Sequence, residues 1–330
     1  MLKYSKFIGF FGLIGFAISA NASGAQLKVA LVLDKGGKDD KSFNAAAYKG
    51  ATEAKEKLGV FLKEIEASDD SFFEPAMRSF VSKNFDLIIG IGISQAETVK
   101  KLSKEFPKQR FAIVDAPVES PNTVAAMFQE HEGSYLVGYV AGMKNKSGTV
   151  GFVGGMDIPL IRRFEKAFTQ GVLAAKPGTK VLVNYVGVTS DAWNNPTKGK
   201  ELAENQYGRG ADVIFVAAGN SNNGVFDAAA EKGLYAIGVD SNQNWIKPGR
   251  ILTSMLKRVD TAVFQVIEDL TKNSFKGGVR VFGLKNNGID WAVDQYNEKL
   301  FTKEDLKKID GVKKDIIAGK IKVTDYYKTK

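Results

Sequence analysis

Short apolar runs alternate with amphipathic helical patterns along this chain, at a spacing of about 25 residues. The first run, Val29-Ala30-Leu31-Val32-Leu33, is unbroken by charge until Asp34, as a parallel strand buried on both faces would be. A helical pattern headed by Ser42 follows, through Ala45, Ala46, Ala47, Tyr48, Gly50, Ala51 and Ala54, with small residues that let it lie close on a sheet. Further strands are predicted at Val60 to Ile65, Leu87 to Ile91, Phe111 to Val114 and Val124 to Phe128, with helices between them. That alternation predicts a doubly wound parallel sheet. A helix of small residues, Tyr135 to Lys144, closes this half, and Asn145-Lys146-Ser147-Gly148 supplies a turn.

The pattern then starts again. Strands are predicted at Thr149 to Val153, Lys180 to Val186, Val213 to Val216 and Tyr235 to Val239, and helices at Pro159 to Ala174, Pro196 to Tyr207 and Gly224 to Lys232. Two such α/β domains, joined end to end, leave a cleft between the carboxyl ends of their strands, where open sheets of this class hold small ligands. The tail carries Ile251 to Leu256, a helix from Val259 to Thr271 and a strand from Gly278 to Phe282, too little for a third domain. The expected division is residues 23–146 plus about 258–285 in one lobe and 147–257 plus about 286–330 in the other. Repeated crossings between lobes would act as a hinge.

Residues 1–22 stand outside this pattern. Lys3 and Lys6 precede the apolar run Phe7 to Ala20, which ends in Ala20-Asn21-Ala22, the form of a signal peptide cut after Ala22. The run is short for a membrane span, which needs roughly 20 apolar residues. The chain has no cysteine, which removes disulfides, thiolate metal sites and thiol nucleophiles, along with the residue a lipoprotein would need at its cleavage point. The expectation is a soluble periplasmic protein that is not a lipoprotein, and a monomer. The apolar share of 44% suffices to fill two cores. Of the formal charge of +9, Lys3 and Lys6 belong to the leader; the rest is spread along the chain and interleaved with acids, which argues for a solvated surface and against a nucleic-acid partner.

The candidate chemistry lies just beyond the strand ends. Asp39-Asp40-Lys41-Ser42-Phe43-Asn44 follows the first strand, so Phe43 and Asn44 face the crevice from a helix start. An aromatic face beside a primary amide suits a flat ligand with a hydrogen-bonding edge. Asp115 ends the strand at Phe111, Gly219 follows the strand at Val213, Asp240 ends the strand at Tyr235, and Lys257 ends the run from Ile251. Asp115 and Asp240 can accept both hydroxyls of a vicinal diol, with Lys257 donating to the same oxygens. Plainer alternatives stand beside each reading: Phe43 as a packing residue, the aspartates as helix caps and Trp193, in Asp191-Ala192-Trp193-Asn194-Asn195, as a loop residue packed locally.

These residues carry a family resemblance. Leu31-Val32-Leu33-Asp34 followed by Asp39 to Asn44 and Gly50 resembles the amino-terminal signature of the basic membrane protein family, the purine-nucleoside receptors of ABC importers. Gly90-Ile91-Gly92, Gly151 to Gly155, Pro196 to Lys200, Ile237 to Ser241 and Leu252 to Lys257 agree in the same order. The resemblance implies a type I periplasmic-binding-protein fold with the nucleoside enclosed between lobes, and a permease and ATPase as partners. It implies that Phe43 stacks on a purine, that Asn44 bonds its edge, that Asp115, Asp240 and Lys257 hold the ribose, and that Gly219 lies against the ligand. Asp39 belongs to the same ligand-binding stretch. The second stacking aromatic of the family is commonly Phe, and the nearest equivalent here is Trp193.

No cofactor or metal is expected, and the leading function is a receptor, not an enzyme. An exported nucleoside-acting hydrolase is the competing class, but the single histidine, His131, has no second histidine to complete a metal site. A sugar or autoinducer receptor on the same fold is the other alternative. A repressor of related fold would need a helix-turn-helix ahead of the first strand, where the leader lies.

Overall fold

The computed structural model describes residues 26–329; the predicted leader, residues 1–22, lies outside the described residues. The first series of elements is β1 (Lys28–Leu33), α1 (Phe43–Leu58), β2 (Phe61–Glu66), α2 (Phe73–Ser82), β3 (Leu87–Ile91), α3 (Ala96–Glu105), β4 (Arg110–Val114) and β5 (Thr123–Phe128). Helix α4 (Glu130–Lys144) leads to the second: β6 (Thr149–Met156), α5 (Pro159–Ala175), β7 (Lys180–Gly187), α6 (Pro196–Gly208), β8 (Val213–Ala217), α7 (Asn222–Lys232), β9 (Tyr235–Asp240) and β10 (Ile251–Lys257). The chain ends with α8 (Val259–Thr271), β11 (Gly278–Phe282), β12 (Ile289–Trp291) and α9 (Lys303–Ile317).

Two six-stranded sheets result, ordered β11-β5-β4-β3-β1-β2 and β12-β10-β9-β8-β6-β7. Pairing is parallel except for β12, which joins β10 antiparallel and was not foreseen from sequence. In each sheet the order reverses beside the first strand of its series, which opens a crevice at the carboxyl ends of β1 and β3 and of β6 and β8. The chain passes between the sheets after β5, after β10 and after β11.

Strand β1 shows why the sheets need cover on both faces. Val29, Leu31 and Leu33 pack with Ala46, Ala47, Ala51 and Ala54 of α1, while Ala30 and Val32 pack with Phe73, Met77 and Phe80 of α2 and Val99 and Leu102 of α3. Helix α4 packs against β8, β10 and β12 of the second sheet and crosses α5 there, so the structure places it with the second lobe although residues up to 146 were expected in the first. There a Cβ on Gly138 would collide with the Phe168 carbonyl, and one on Gly171 with the Tyr135 carbonyl, so only glycine allows the two backbones this approach. Helix α4 begins at Glu130, so His131 stands in its first turn, ahead of the small-residue pattern at Tyr135 to Lys144; Glu130, His131 and Ser134 are polar yet buried.

Candidate functional site

The loop between β1 and α1 is built around Asp40. Its carboxylate accepts from the backbone N–H of Ser42, Asn44 and Ala45 at 2.8, 2.9 and 3.0 Å, which satisfies the open donors of the first turn of α1. Burial raises the Asp40 pKa while those donors hold it down. Asp39, the expected ligand-binding neighbour, is exposed and outside the cavity lining; the chain turns through Lys41 at φ 58° and directs Asp40 inward instead. Asn44 does reach the lining, but its amide is committed to the loop. Its Oδ1 accepts from Asp34 N–H at 2.9 Å, and its Nδ2 donates to the Lys35 carbonyl and to Asp40 at 3.2 and 3.1 Å. Both amide donors being used, Asn44 holds the loop's shape, and Asp34 is the polar group presented at the end of β1. Burial pushes the Asp34 pKa from 3.8 up to about 6, against donors from Lys35 N–H and Ser94.

The other strand ends supply a buried charge cluster. Asp115 and Asp240 have φ of 69° and 65°, a left-handed conformation at which a side chain other than Asn or Asp is unfavourable. Neither caps a helix: β5 follows Asp115, and the next helical turn after Asp240 is capped by Gln243. Lys257 is 2% exposed, with Nζ 2.5 Å from Asp115 Oδ2 and 3.4 Å from Glu130 Oε1. Burial would depress the Lys257 pKa, but the facing carboxylates Asp115, Glu130 and Asp240 outweigh it and raise it, so the ammonium stays charged. Burial raises Asp115 and Glu130, and takes Asp240 from 3.8 to about 6 against the pull of Lys257 and a hydrogen bond from Ser42. Asp115 Oδ1 is buried and has no hydrogen-bond partner. His131 is buried too, and burial with the nearby Arg163 takes its pKa down to about 4.

Asp34, Asp40, Asp115, Asp240 and Lys257 line one cavity between the strand ends of the two sheets. Phe43, Asn44, Asp115, Trp193, Gly219, Asp240 and Lys257 are all brought to it. Trp193 stands on a single 3-10 turn, Ser190–Asn194, against Gly219, whose φ of 59° and missing side chain let the wall close there. Phe164, Leu160 and Ile161 of α5 complete an apolar wall that sequence reading missed, because at helical spacing they look like ordinary core. The Lys257 ammonium lies 5.0 Å from the Phe43 ring centre and 5.7 Å from that of Phe164.

The two lobes meet around this cavity. Ser42 Oγ donates to Asp240 Oδ2 at 2.7 Å, Ser241 Oγ to the Ser42 carbonyl at 2.8 Å and Gln243 Nε2 to the Lys41 carbonyl at 3.0 Å. Lys35 pairs with Asp191, from the loop after β7, at 2.5 Å. The β1–α1 loop thus rests on the strand ends of the second sheet, in a closed arrangement.

A family model described as PnrA-like ABC transporter substrate-binding protein matches residues 27–326. The chain belongs to this family. It is 33% identical to the ABC transporter nucleoside-binding protein BmpA of Lactococcus lactis, over 90% of this chain and 89% of the relative. It is 34% identical to the CD4+ T-cell-stimulating antigen of Listeria monocytogenes, over 92% and 89%. Among solved structures, an ABC transporter solute-binding protein from Aeropyrum pernix superposes with a TM-score of 0.83 at 28% identity, covering 91% of this chain and 93% of that one. The fold of this substrate-binding protein is accordingly the type I periplasmic binding fold.

One expectation is overturned by the relatives. A soluble periplasmic protein that is not a lipoprotein was expected, yet the match from Pyrococcus furiosus, 34% identical over 89% of this chain, is named a lipoprotein, as are those from Pyrococcus abyssi and Pyrococcus horikoshii. Two Borreliella matches are named basic membrane protein A. These names point to lipid-anchored membrane association. The expectation rested on the missing cysteine, which bears on one acylation chemistry and not on what else holds a protein at a membrane. Among the described residues no helix is long and apolar enough to cross a membrane.

Proposed function

We propose that this protein captures a nucleoside, with a preference for purines, between its lobes and delivers it to the permease and ATPase of an ABC importer. The observation that carries the reading is the buried, unpartnered Asp115 Oδ1 beside Lys257 and Asp240, in the same cavity as Phe43, Trp193 and Phe164. A ribose diol donates one hydroxyl to Asp115 and one to Asp240, and accepts from the Lys257 ammonium. The aromatic walls cover the faces of the base, and Asp34, titrating near 6, meets its edge as acceptor when ionised and as donor when protonated. Carboxylates outnumber cations on the lining, with Asp34, Asp40, Asp115 and Asp240 against Lys35 and Lys257, which disfavours a phosphorylated ligand.

The test is isothermal titration of protein refolded to strip carried-over ligand, with adenosine, guanosine, inosine, cytidine, uridine and free ribose, beside Asp115→Ala. Binding of nucleosides but not ribose, lost in the variant, supports the reading and ranks the bases. Ribose binding as tightly as a nucleoside, or no nucleoside bound by folded protein, overturns it in favour of a sugar or other solute.

A further inference from the structure

The Lys257 ammonium serves three buried carboxylates, Asp115, Glu130 and Asp240. One cation does not balance three anions away from water. The second cation is Arg163, on α5. Its Nη1 donates to Glu130 Oε2 at 2.5 Å and to the Phe128 carbonyl at 2.6 Å. The opposite edge of the guanidinium faces away from the cavity, where Nε and Nη2 donate to the two oxygens of Asp325 at 2.7 and 3.0 Å and the Tyr327 ring lies 4.7 Å from its centre. Asp325 and Tyr327 belong to the segment after α9. Neither Glu130 nor Arg163 lines the cavity, so neither is a ligand contact.

We infer that Arg163, pinned by Asp325 and Tyr327 of the carboxyl-terminal segment, is a positioning residue for ligand capture: by engaging Glu130 it reserves the Lys257 ammonium for Asp115 and the ligand. This rests on the reading that a hydroxyl-bearing ligand occupies the cavity. Glu130 is fully buried, its Oε2 is taken by Arg163, and its Oε1 has no hydrogen-bond donor although it lies 3.4 Å from Lys257 Nζ. Without Arg163, Lys257 is the remaining cation beside Glu130. A lysine head on its flexible stem needs to move less than 1 Å to exchange its 2.5 Å contact with Asp115 for one with Glu130. The ligand's hydroxyls then meet a displaced donor. Glu130 opens α4, Lys257 closes β10 and Arg163 sits on α5, so the chain of charges ties the lobe crossings to the site.

The competition makes a prediction that a merely structural arginine does not. Neutralising Glu130 removes the competitor, so Glu130→Gln should repair the loss caused by Arg163→Met. Affinity is measured by titration with whichever of adenosine, guanosine or inosine the wild type binds most tightly, on chains shown to be folded by near-UV circular dichroism. Arg163→Met is expected to weaken binding by about tenfold or more, Arg163→Lys by less, and Asp325→Asn by about threefold, while Glu130→Gln/Arg163→Met returns to within about threefold of wild type. Wild-type affinity in Arg163→Met overturns the inference. So does a double variant as weak as the single one. If Arg163→Met does not fold, the double variant and Asp325→Asn decide: wild-type affinity in Asp325→Asn, or a folded double variant more than about tenfold weaker than wild type, overturns it. Failure of the wild type to bind any nucleoside removes the underlying reading and this inference with it, an outcome visible before any variant is compared.

Discussion

Replacing Asp240 with asparagine keeps the shape of a buried group and removes its charge, which separates what this residue does for the ligand from what it does to the fold. Burial takes its pKa from 3.8 to about 6, with Lys257 and Ser42 opposing the rise. A shift of about two units corresponds to about 3 kcal/mol of destabilisation when the group is fully ionised. The sign follows from proton counts: between 3.8 and 6 the native state holds a proton that the unfolded chain has released, so stability falls as pH rises through that window. The full cost is present above pH 6 and absent below 3.8. Asp240→Asn avoids it, and asparagine Oδ1 still accepts from Ser42 Oγ, now 2.7 Å from the carboxylate.

The variant should therefore be more stable than wild type at pH 7.5, by up to about 3 kcal/mol, a figure in which the attraction of Lys257 is already set against burial. It should also bind nucleoside about tenfold or more weakly, since a charged acceptor becomes a neutral one. Wild-type affinity should in turn fall as pH drops below about 6, where Asp240 takes up its proton. Urea unfolding of ligand-free protein at pH 7.5, 6.0 and 4.5 measures the first effect, and the stability gain should shrink with each step down. A variant less stable than wild type at pH 7.5, or a gain that does not change with pH, would refute the reasoning and show Lys257 to be a net stabilising partner.

Trp193→Ala should weaken nucleoside binding by about 5- to 150-fold, the value of about 1–3 kcal/mol for one base stacked on an aromatic ring; a change under twofold in titration would remove Trp193 from the base site. Gly138→Ala should destabilise the protein by about 1–3 kcal/mol in urea unfolding, because the added methyl meets the Phe168 carbonyl across the α4–α5 crossing; unchanged stability would mean the helices separate freely. Asp191→Asn should change affinity by less than about fivefold, because Asp191 is 77% exposed and its pair with Lys35 is solvent-screened; a larger loss would make that pair a latch on the closed lobes.

What the sequence made legible, and what it hid, divides along one physical line. Strands such as β1 and β3 are buried on both faces and show as unbroken apolar runs, so the two series of elements could be read directly. Asp115, Asp240 and Lys257 could be singled out because each interrupts an apolar run at the end of a strand, where no packing demand explains a charge. The choice between Asp39 and Asp40 was hidden, because adjacent identical residues differ only in which way the turn at Lys41 sends them. Glu130 and Arg163 were hidden for a different reason. Charges within helices read as solvated, and these two are held away from solvent by partners from separate helices and segments, a pairing that no local pattern records.

Even so, Arg163 left a trace. It falls on the stripe formed by Leu160, Phe164 and Ala167, where an arginine breaks the apolar face that helix α5 turns toward the core. A cation on such a stripe needs a buried anion opposite, and Glu130, at the head of the crossing helix, is that anion. The strand-end charges and the stripe-breaking arginine therefore follow one rule. A charge where packing calls for an apolar side chain is held there by a partner, and the partners of Asp115, Glu130 and Arg163 all converge on Lys257 or its neighbours.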